Sequence, residues 1–192
     1  ELSKRVGEFT DSVIRRMTRI SDATPGSINL SQGFPDFDPP QVLLDALREM
    51  AGGGEQHQYS VTYGSENLRR CIAEKYSPIH GYEIDPETQV VVTCGGTEAM
   101  MAAMMTVCNP GDKVMVFSPF YENYGADAIL SGAEPIYIPL VPPEYEFDLS
   151  LIEKGFAEGA KALILCNPSN PCGKVFRRDE LEAIARLAIK YD

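Results

Sequence analysis

The chain has 192 residues, 44% of them hydrophobic and 23% charged, which is enough apolar material for a folded domain and too much for a disordered one. Its formal net charge of −11 leaves no excess of Lys and Arg for nucleic-acid phosphates or an anionic membrane surface, and accords with simple solubility.

Cys71, Cys94, Cys108, Cys166 and Cys172 are odd in number and contain no C-x-x-C pair. Cys94, Cys108 and Cys166 sit in apolar runs, where a reduced thiol packs as a small hydrophobe. The expectation is a reducing compartment without a disulfide framework. Neither His57 nor His80 has a nearby Cys or second His, so no zinc site is expected. The N-terminal residues hold no apolar signal core and the longest apolar runs are strand-sized. These features predict a cytoplasmic protein with no membrane span.

In chain order, residues 8–20 place Phe9, Val13, Ile14, Met17 and Ile20 at helical spacing, with Arg15, Arg16 and Arg19 on a solvated face. Residues 24–40 are rich in Pro, Gly, Ser and Asp and read as an extended loop. Helices are predicted over 41–51 and about 65–77. Gln89 to Cys94 is a short β-branched run, the pattern of a strand buried on both faces. From there strand and helix alternate: a helix from Thr97 to Val107, a strand from Lys113 to Phe117 and a helix from Tyr121 to Leu130. A strand from Pro135 to Leu140, a helix over 148–157, a strand from Ala162 to Cys166 and a helix from Arg178 to Tyr191 complete the pattern. Such alternation predicts an α/β fold whose mostly parallel sheet is covered by helices, a three-layer α/β/α arrangement. The chain stops at Asp192 directly after a helix with no closing strand, and the expectation is that more sequence belongs to this domain.

Ligands of parallel sheets bind at the carboxyl ends of the strands, so the segments after each strand carry the functional expectations. Gly95-Gly96-Thr97-Glu98-Ala99 joins a strand to a helix. Paired glycines expose successive N–H groups at a helix N-terminus, and Thr97 adds a hydroxyl, which together make an anion site. The segment is neither G-x-x-x-x-G-K-[ST] nor G-x-G-x-x-G, and taken alone it is equally a plain strand-to-helix turn. Ser118-Pro119-Phe120-Tyr121-Glu122-Asn123-Tyr124 clusters aromatics past a strand end, where a ring face could stack on a flat ligand; for Phe120, packing alone is favoured. In Asn167-Pro168-Ser169-Asn170-Pro171-Cys172-Gly173-Lys174, prolines rigidify a strand end and fix an Asn carboxamide that can both donate and accept. Leu30 to Phe37 and Gln58 to Gly64 read by themselves only as turns with aromatics.

Taken together and in order, these segments resemble fold-type I pyridoxal-phosphate-dependent aminotransferases, in the branch that includes aspartate and kynurenine aminotransferases. The resemblance runs through Ile28-Asn29-Leu30-Ser31-Gln32-Gly33-Phe34-Pro35-Asp36-Phe37, Tyr59 with Gly64 and Leu68-Arg69, the Gly95–Ala99 turn, Pro119-Phe120-Tyr121, and Asn170-Pro171-Cys172-Gly173. It implies an N-terminal arm and small-domain segment over 1–38, then the first, incomplete part of the large cofactor-binding domain over 39–192. It implies that Gly95, Gly96 and Thr97 bind the cofactor phosphate, that Tyr121 stacks on the pyridine ring, and that Asn170 meets the ring's phenolic oxygen and helps hold the substrate carboxylate. Gly33 would meet that carboxylate through its backbone, and Tyr59 would reach a neighbouring copy's phosphate, making the working unit a homodimer. Position 172, often small or hydroxylic in relatives, is Cys172, expected to affect packing more than chemistry.

The implied reaction moves an amino group between an amino acid and a 2-keto acid, with an enzyme lysine carrying the proton. Of Lys4, Lys75, Lys113, Lys154, Lys161, Lys174 and Lys190, none stands where the family's covalent lysine would; it is expected beyond Asp192, so no catalytic residue is expected in this segment and the segment alone is expected to be inactive. Lys174, close to Asn170, is expected to have no covalent role. A carbon–sulfur lyase or related elimination enzyme on the same scaffold would share every motif quoted. A nucleotide-binding or structural α/β domain is the third reading, and the missing G-x-G-x-x-G speaks against its dinucleotide form.

Overall fold

The computed structural model describes residues 2–8, 11–53 and 57–191. Contacts divide the chain into two compact units: Asp11–Gly95, and Glu1–Thr10 together with Gly96–Asp192. The second unit holds a parallel sheet in the order β2-β1-β3, with β1 at Lys113–Ser118, β2 at Glu134–Pro139 and β3 at Ala160–Ile164. Lys113 pairs with Glu134 and Ser118 with Pro139, while the β1–β3 ladder runs from Lys113 and Ala160 to Val116 and Ile164 with an irregularity after Lys113. Parallel neighbours need a crossover, supplied by α5 (Asn123–Leu130) between β1 and β2 and by α6 (Leu149–Ala157) between β2 and β3.

The continuous apolar run of β1 follows from its position, since Val114, Met115, Val116 and Phe117 are all buried. Val114 and Val116 join Met104 and Cys108, at the end of α4 (Gly95–Val107), with Ala128 of α5 and Ile164 of β3. Met115 and Phe117 join Ile138 and Leu140, Ile152 of α6, Phe176, and Ile184 of α7 (Arg178–Tyr191). Helices therefore cover both faces, giving the three-layer α/β/α fold. Burial of each large apolar side chain is worth roughly 1.5–3 kcal/mol. α6 lies directly on β1: a Cβ at the buried Gly155 would run into the Met115 sulfur. Cys172 packs at the edge of the second cluster.

The unit Asp11–Gly95 contains α1 (Val13–Asp22), α2 (Gln41–Gly52) and α3 (Glu66–His80). The buried Arg69 ties its segments together, donating to the carbonyls of Gly64 at 3.2 Å and Pro86 at 2.5 Å and to Glu87 at 3.3 Å. Gly64 is required here, because its φ of +97° is left-handed and a Cβ would stand 2.6 Å from that of Val92. The Val92 N–H donates to the Tyr63 carbonyl at 2.9 Å, closing the loop against the segment that leads to Gly95.

Three expectations are corrected. Gln89 to Cys94 is not a strand: among the described residues it has no ladder partner, and Val91 is exposed although Val90 is buried. Composition signals a strand, but a strand exists only where a neighbour completes its hydrogen bonds. Cys94 is likewise exposed rather than packed, whereas Cys108 is buried and Cys166 half-buried. The helix predicted over 8–20 starts at Val13 because Ser12 caps it, its hydroxyl accepting from the Arg15 N–H at 3.2 Å; residues 9 and 10 lie outside the described residues. Smaller offsets have local causes: β3 stops at Ile164 ahead of Pro168, which cannot donate to a ladder.

Two buried polar features stand out in the sheet-bearing unit. Lys174 Nζ lies 3.1 Å from Glu180 Oε1, with side chains only 4% and 6% exposed, and 5.7 and 5.3 Å from the ring centres of Phe147 and Phe176. Asp127 on α5 is 4% exposed, and its Oδ2 has no hydrogen-bond partner among the described residues. Burial pushes its carboxyl above the usual carboxylate range.

Glu180→Gln leaves the Lys174 ammonium buried and unpaired, so urea unfolding is expected to show a loss of about 3–5 kcal/mol. Lys174→Met combined with Glu180→Leu should recover most of that loss, and a single-variant loss below about 1 kcal/mol would contradict burial of the pair. The raised Asp127 carboxyl contributes stability that is complete below its unfolded value, near 4, and lost as pH rises through its folded value. Asp127→Asn is therefore expected to raise Tm at pH 7 by about 2–4 °C, or about 1 kcal/mol, with the gain shrinking on acidification towards pH 4. A gain that grew as pH fell would refute this.

Candidate active site

Helix α4 opens on Gly95, whose φ of +77° turns the chain sharply out of the preceding segment; the Thr93 hydroxyl donates to the Gly95 carbonyl at 2.9 Å. The first turn, Gly95 through Glu98, is exposed, and a Cβ built on Gly95 or Gly96 would meet nothing within 4 Å. The first N–H groups of a helix have no partner inside it and lie at its positive end, so open space here suits an anion. Thr97 Oγ1 accepts a hydrogen bond from Asn123 Nδ2 at 3.2 Å, tying this turn to the first turn of α5.

The chain leaving β1 runs through Ser118, Pro119, Phe120 and Tyr121 before entering α5. Phe120 stacks flat on Tyr137, with centroids 5.2 Å apart and planes 4° apart, and packs against the α4–α5 cluster, in line with a packing role. Tyr121 is half-buried and meets Tyr124 edge-on at 5.8 Å and 75°. The Tyr124 phenol is pushed up to about 12, first by its hydrogen bond with Cys166, then by burial and by the nearby thiol, Tyr121 and Asp127. It stays protonated at physiological pH and lines the crevice with Cys166, whose S–H donates to the Pro168 carbonyl at 3.3 Å.

The loop leaving β3 is braced by its own polar groups. Asn167 Oδ1 accepts from the Phe176 N–H at 3.0 Å, the Ser169 N–H donates to the Lys174 carbonyl at 2.8 Å, and the Gly173 N–H donates to the Ser169 carbonyl at 2.7 Å. Asn170 rides on this brace, exposed, its carboxamide without a hydrogen-bond partner among the described residues. A shallow crevice opens between the two strand-end loops, lined by Phe120 and Tyr124 on one side and Cys166, Ser169 and Asn170 on the other. Lys174 does not face it as a free amine, because its Nζ is engaged by Glu180 and closed in by two rings.

Thr97, Tyr121 and Asn170 stand in one unit: Thr97 is bonded to Asn123, Tyr121 meets Tyr124, and Tyr124 and Asn170 line the same crevice. Gly33 and Tyr59 are exposed residues of the unit Asp11–Gly95, Tyr59 completely so. The sequence reading missed Asn123, Tyr124, Cys166 and Ser169. Asn123 and Tyr124 stood inside the quoted aromatic segment, but only ring stacking was read from it; Cys166 was read as a core thiol. An exposed helix N-terminal turn, with an aromatic ring after β1 and an unpartnered carboxamide after β3, suits a flat phosphorylated heterocycle carrying a ring oxygen.

The aminotransferase class I and II family model matches residues 25–192. A probable N-succinyldiaminopimelate aminotransferase, DapC, of Mycobacterium tuberculosis is 37% identical over 96% of this chain and 47% of its own length. Kynurenine–oxoglutarate transaminase 3 of Rattus norvegicus is 33% identical over 99% of this chain and 44% of its own. Among solved structures, the N-succinyldiaminopimelate aminotransferase of M. tuberculosis superposes with a TM-score of 0.89 at 36% identity, over 100% of this chain and 50% of that one. The aspartate aminotransferase of Thermus thermophilus with maleate gives 0.88 at 29%, over 100% and 51%. The chain spans about half the length of the curated relatives it matches. On the strength of the match over residues 25–192, the chain belongs to the aminotransferase class I and II family of pyridoxal-phosphate-dependent enzymes.

Proposed function

We propose that the protein transfers an amino group between an amino acid and a 2-keto acid, with this chain supplying part of the pyridoxal phosphate site. The observation that carries the reading is the placing of the α4 N-terminal turn, tied through Thr97 to Asn123 at the start of α5, beside Tyr121, which meets Tyr124, while Tyr124 and the exposed Asn170 line one crevice past the ends of β1 and β3. When bound, the cofactor supplies a protonated ring that withdraws the electron pair left at the amino acid's α-carbon. The α4 N-terminus binds the phosphate through backbone N–H groups, with the Thr97 hydroxyl held in place by Asn123. Tyr121 covers one face of the ring and keeps water from it. Asn170 donates to the ring's oxygen and to the substrate carboxylate, with the Gly33 backbone as a second contact to that carboxylate. The lysine that carries the proton is not among those of this chain; Lys174 is held by Glu180.

The same reading makes the working unit a homodimer in the cytoplasm, with Tyr59 reaching the phosphate of a neighbouring copy. The complete exposure of its ring supports that role. Because every motif is shared with elimination enzymes of this scaffold, the assay must separate the two chemistries.

With the intact protein and pyridoxal phosphate, amino-acid-dependent conversion of 2-oxoglutarate to glutamate is expected. Asn170→Ala should lower kcat/KM about 10- to 100-fold, as for loss of a hydrogen bond to a charged group. Release of thiol, ammonia and a keto acid without any keto-acid acceptor would replace transamination with elimination.

A further inference from the structure

Asn170 is exposed at the crevice, but the residues that carry it are not: Ser169, Lys174 and Phe176 are all buried. Two bonds close the turn across its base, from the Ser169 N–H to the Lys174 carbonyl at 2.8 Å and from the Phe176 N–H to Asn167 Oδ1 at 3.0 Å. A third, from the Gly173 N–H to the Ser169 carbonyl at 2.7 Å, spans Asn170 itself. The turn therefore hangs on the return limb 174–177, and one carboxylate grips both ends of that limb. Glu180 Oε1 accepts from Lys174 Nζ at 3.1 Å and lies 3.4 Å from the Arg177 guanidinium, while Glu180 Oε2 accepts from the Arg177 backbone N–H at 2.7 Å.

We propose that Glu180 is a positioning residue for Asn170, fixing the limb 174–177 and through it the place of the carboxamide in the site. The inference rests on the reading of Asn170 as a group that meets cofactor and substrate. Glu180 stands in the first turn of α7 with its side chain 6% exposed, so it is itself held by the helix and by burial. Its two oxygens act at different points of the limb, one on the side chain of residue 174 and one on the N–H of residue 177, and together they stop the limb from sliding or pivoting. Apolar contacts with Phe147 and Phe176 would leave both motions open, because hydrophobic burial has no direction. A buried ion pair adds little net stability over an apolar pair of similar volume, whereas a misplacement of about 1 Å in a group that orients a reacting molecule costs about 100-fold. The clamp thus matters to the site beyond its share in stability, and the two contributions can be separated.

The experiment measures the pyridoxal phosphate affinity of the intact protein, stripped of cofactor and titrated back, together with hydrogen exchange at the Ser169 and Gly173 amides of the cofactor-free protein. Glu180→Gln is expected to weaken pyridoxal phosphate about five- to tenfold, the worth of one hydrogen bond, and to speed exchange at both amides. Lys174→Met combined with Glu180→Leu, which restores stability but leaves the Arg177 N–H without its acceptor, should keep the weakened affinity and the faster exchange, and it carries the test should Glu180→Gln fail to fold. Because Glu180 acts through Asn170, Glu180→Gln should add no further loss of affinity to Asn170→Ala. Recovery of affinity along with stability in the apolar double variant, or additive losses with Asn170→Ala, would overturn the positioning role and leave the functional reading standing. Failure of the parent to bind pyridoxal phosphate at all would overturn that reading and this inference with it.

Discussion

A strand covered on both faces has nowhere to expose its polar backbone except at its ends, and β1 imposes that condition on this fold. Val114 and Val116 are sealed beneath α4 and α5, Met115 and Phe117 beneath α6 and α7, and both edges of the strand are paired. Solvent reaches the strand only at its two half-buried ends, Lys113 and Ser118. The neighbouring β3 runs parallel and ends on the same side, so the loops that follow the two strands must converge. The crevice between Phe120, Tyr124, Cys166 and Asn170 is the direct consequence of that geometry.

Convergence alone would leave two floppy loops facing each other. What makes the position of Asn170 definite is a set of polar contacts placed behind it. The Asn167 carboxamide is spent on the Phe176 backbone, Ser169 and Lys174 join across the loop, and the Lys174 ammonium is anchored by Glu180 between two aromatic rings. Glu180 also accepts from the Arg177 N–H at 2.7 Å, so the same carboxylate fixes the start of α7. Arg69 plays a comparable part in the unit Asp11–Gly95, where its guanidinium gathers carbonyls from either side of α3. In both cases a buried cation satisfies backbone carbonyls or a carboxylate that would otherwise hold a loop in no fixed place.

The parts of this arrangement that were legible in the sequence are those set by local pattern. The run Lys113 to Phe117 gave its strand within one residue, and the apolar stripe from Arg178 to Tyr191 gave α7 with both ends correct, because periodicity and burial agree there. The glycine turn, the ring of Tyr121 and the carboxamide of Asn170 were visible for the same reason, each being an odd residue type at a predicted strand end. Gln89 to Cys94 misled because β-branched composition reports the environment a strand prefers, while strand formation depends on a partner supplied by distant sequence. Asn123 and Tyr124 were passed over on similar grounds. Asn123 bonds to Thr97, 26 positions earlier, and Tyr124 lines the crevice with Cys166, much later in the chain; no local pattern encodes either pairing.

Helix α5 shows how burial can have opposite outcomes one turn apart. Tyr124 and Asp127, three positions apart, share a face of the helix, and each is pushed upward in pKa by its surroundings. For the phenol the shift preserves the form already present, so Tyr124 keeps its hydroxyl proton through the whole physiological range. For the carboxyl the shift works against ionisation with no compensating donor among the described residues, so acidity is where α5 gains and loses stability. Of the two residues on this face, Tyr124 therefore keeps one protonation state across the physiological range, while Asp127, whose charge also acts on the Tyr124 phenol, carries the pH sensitivity of α5.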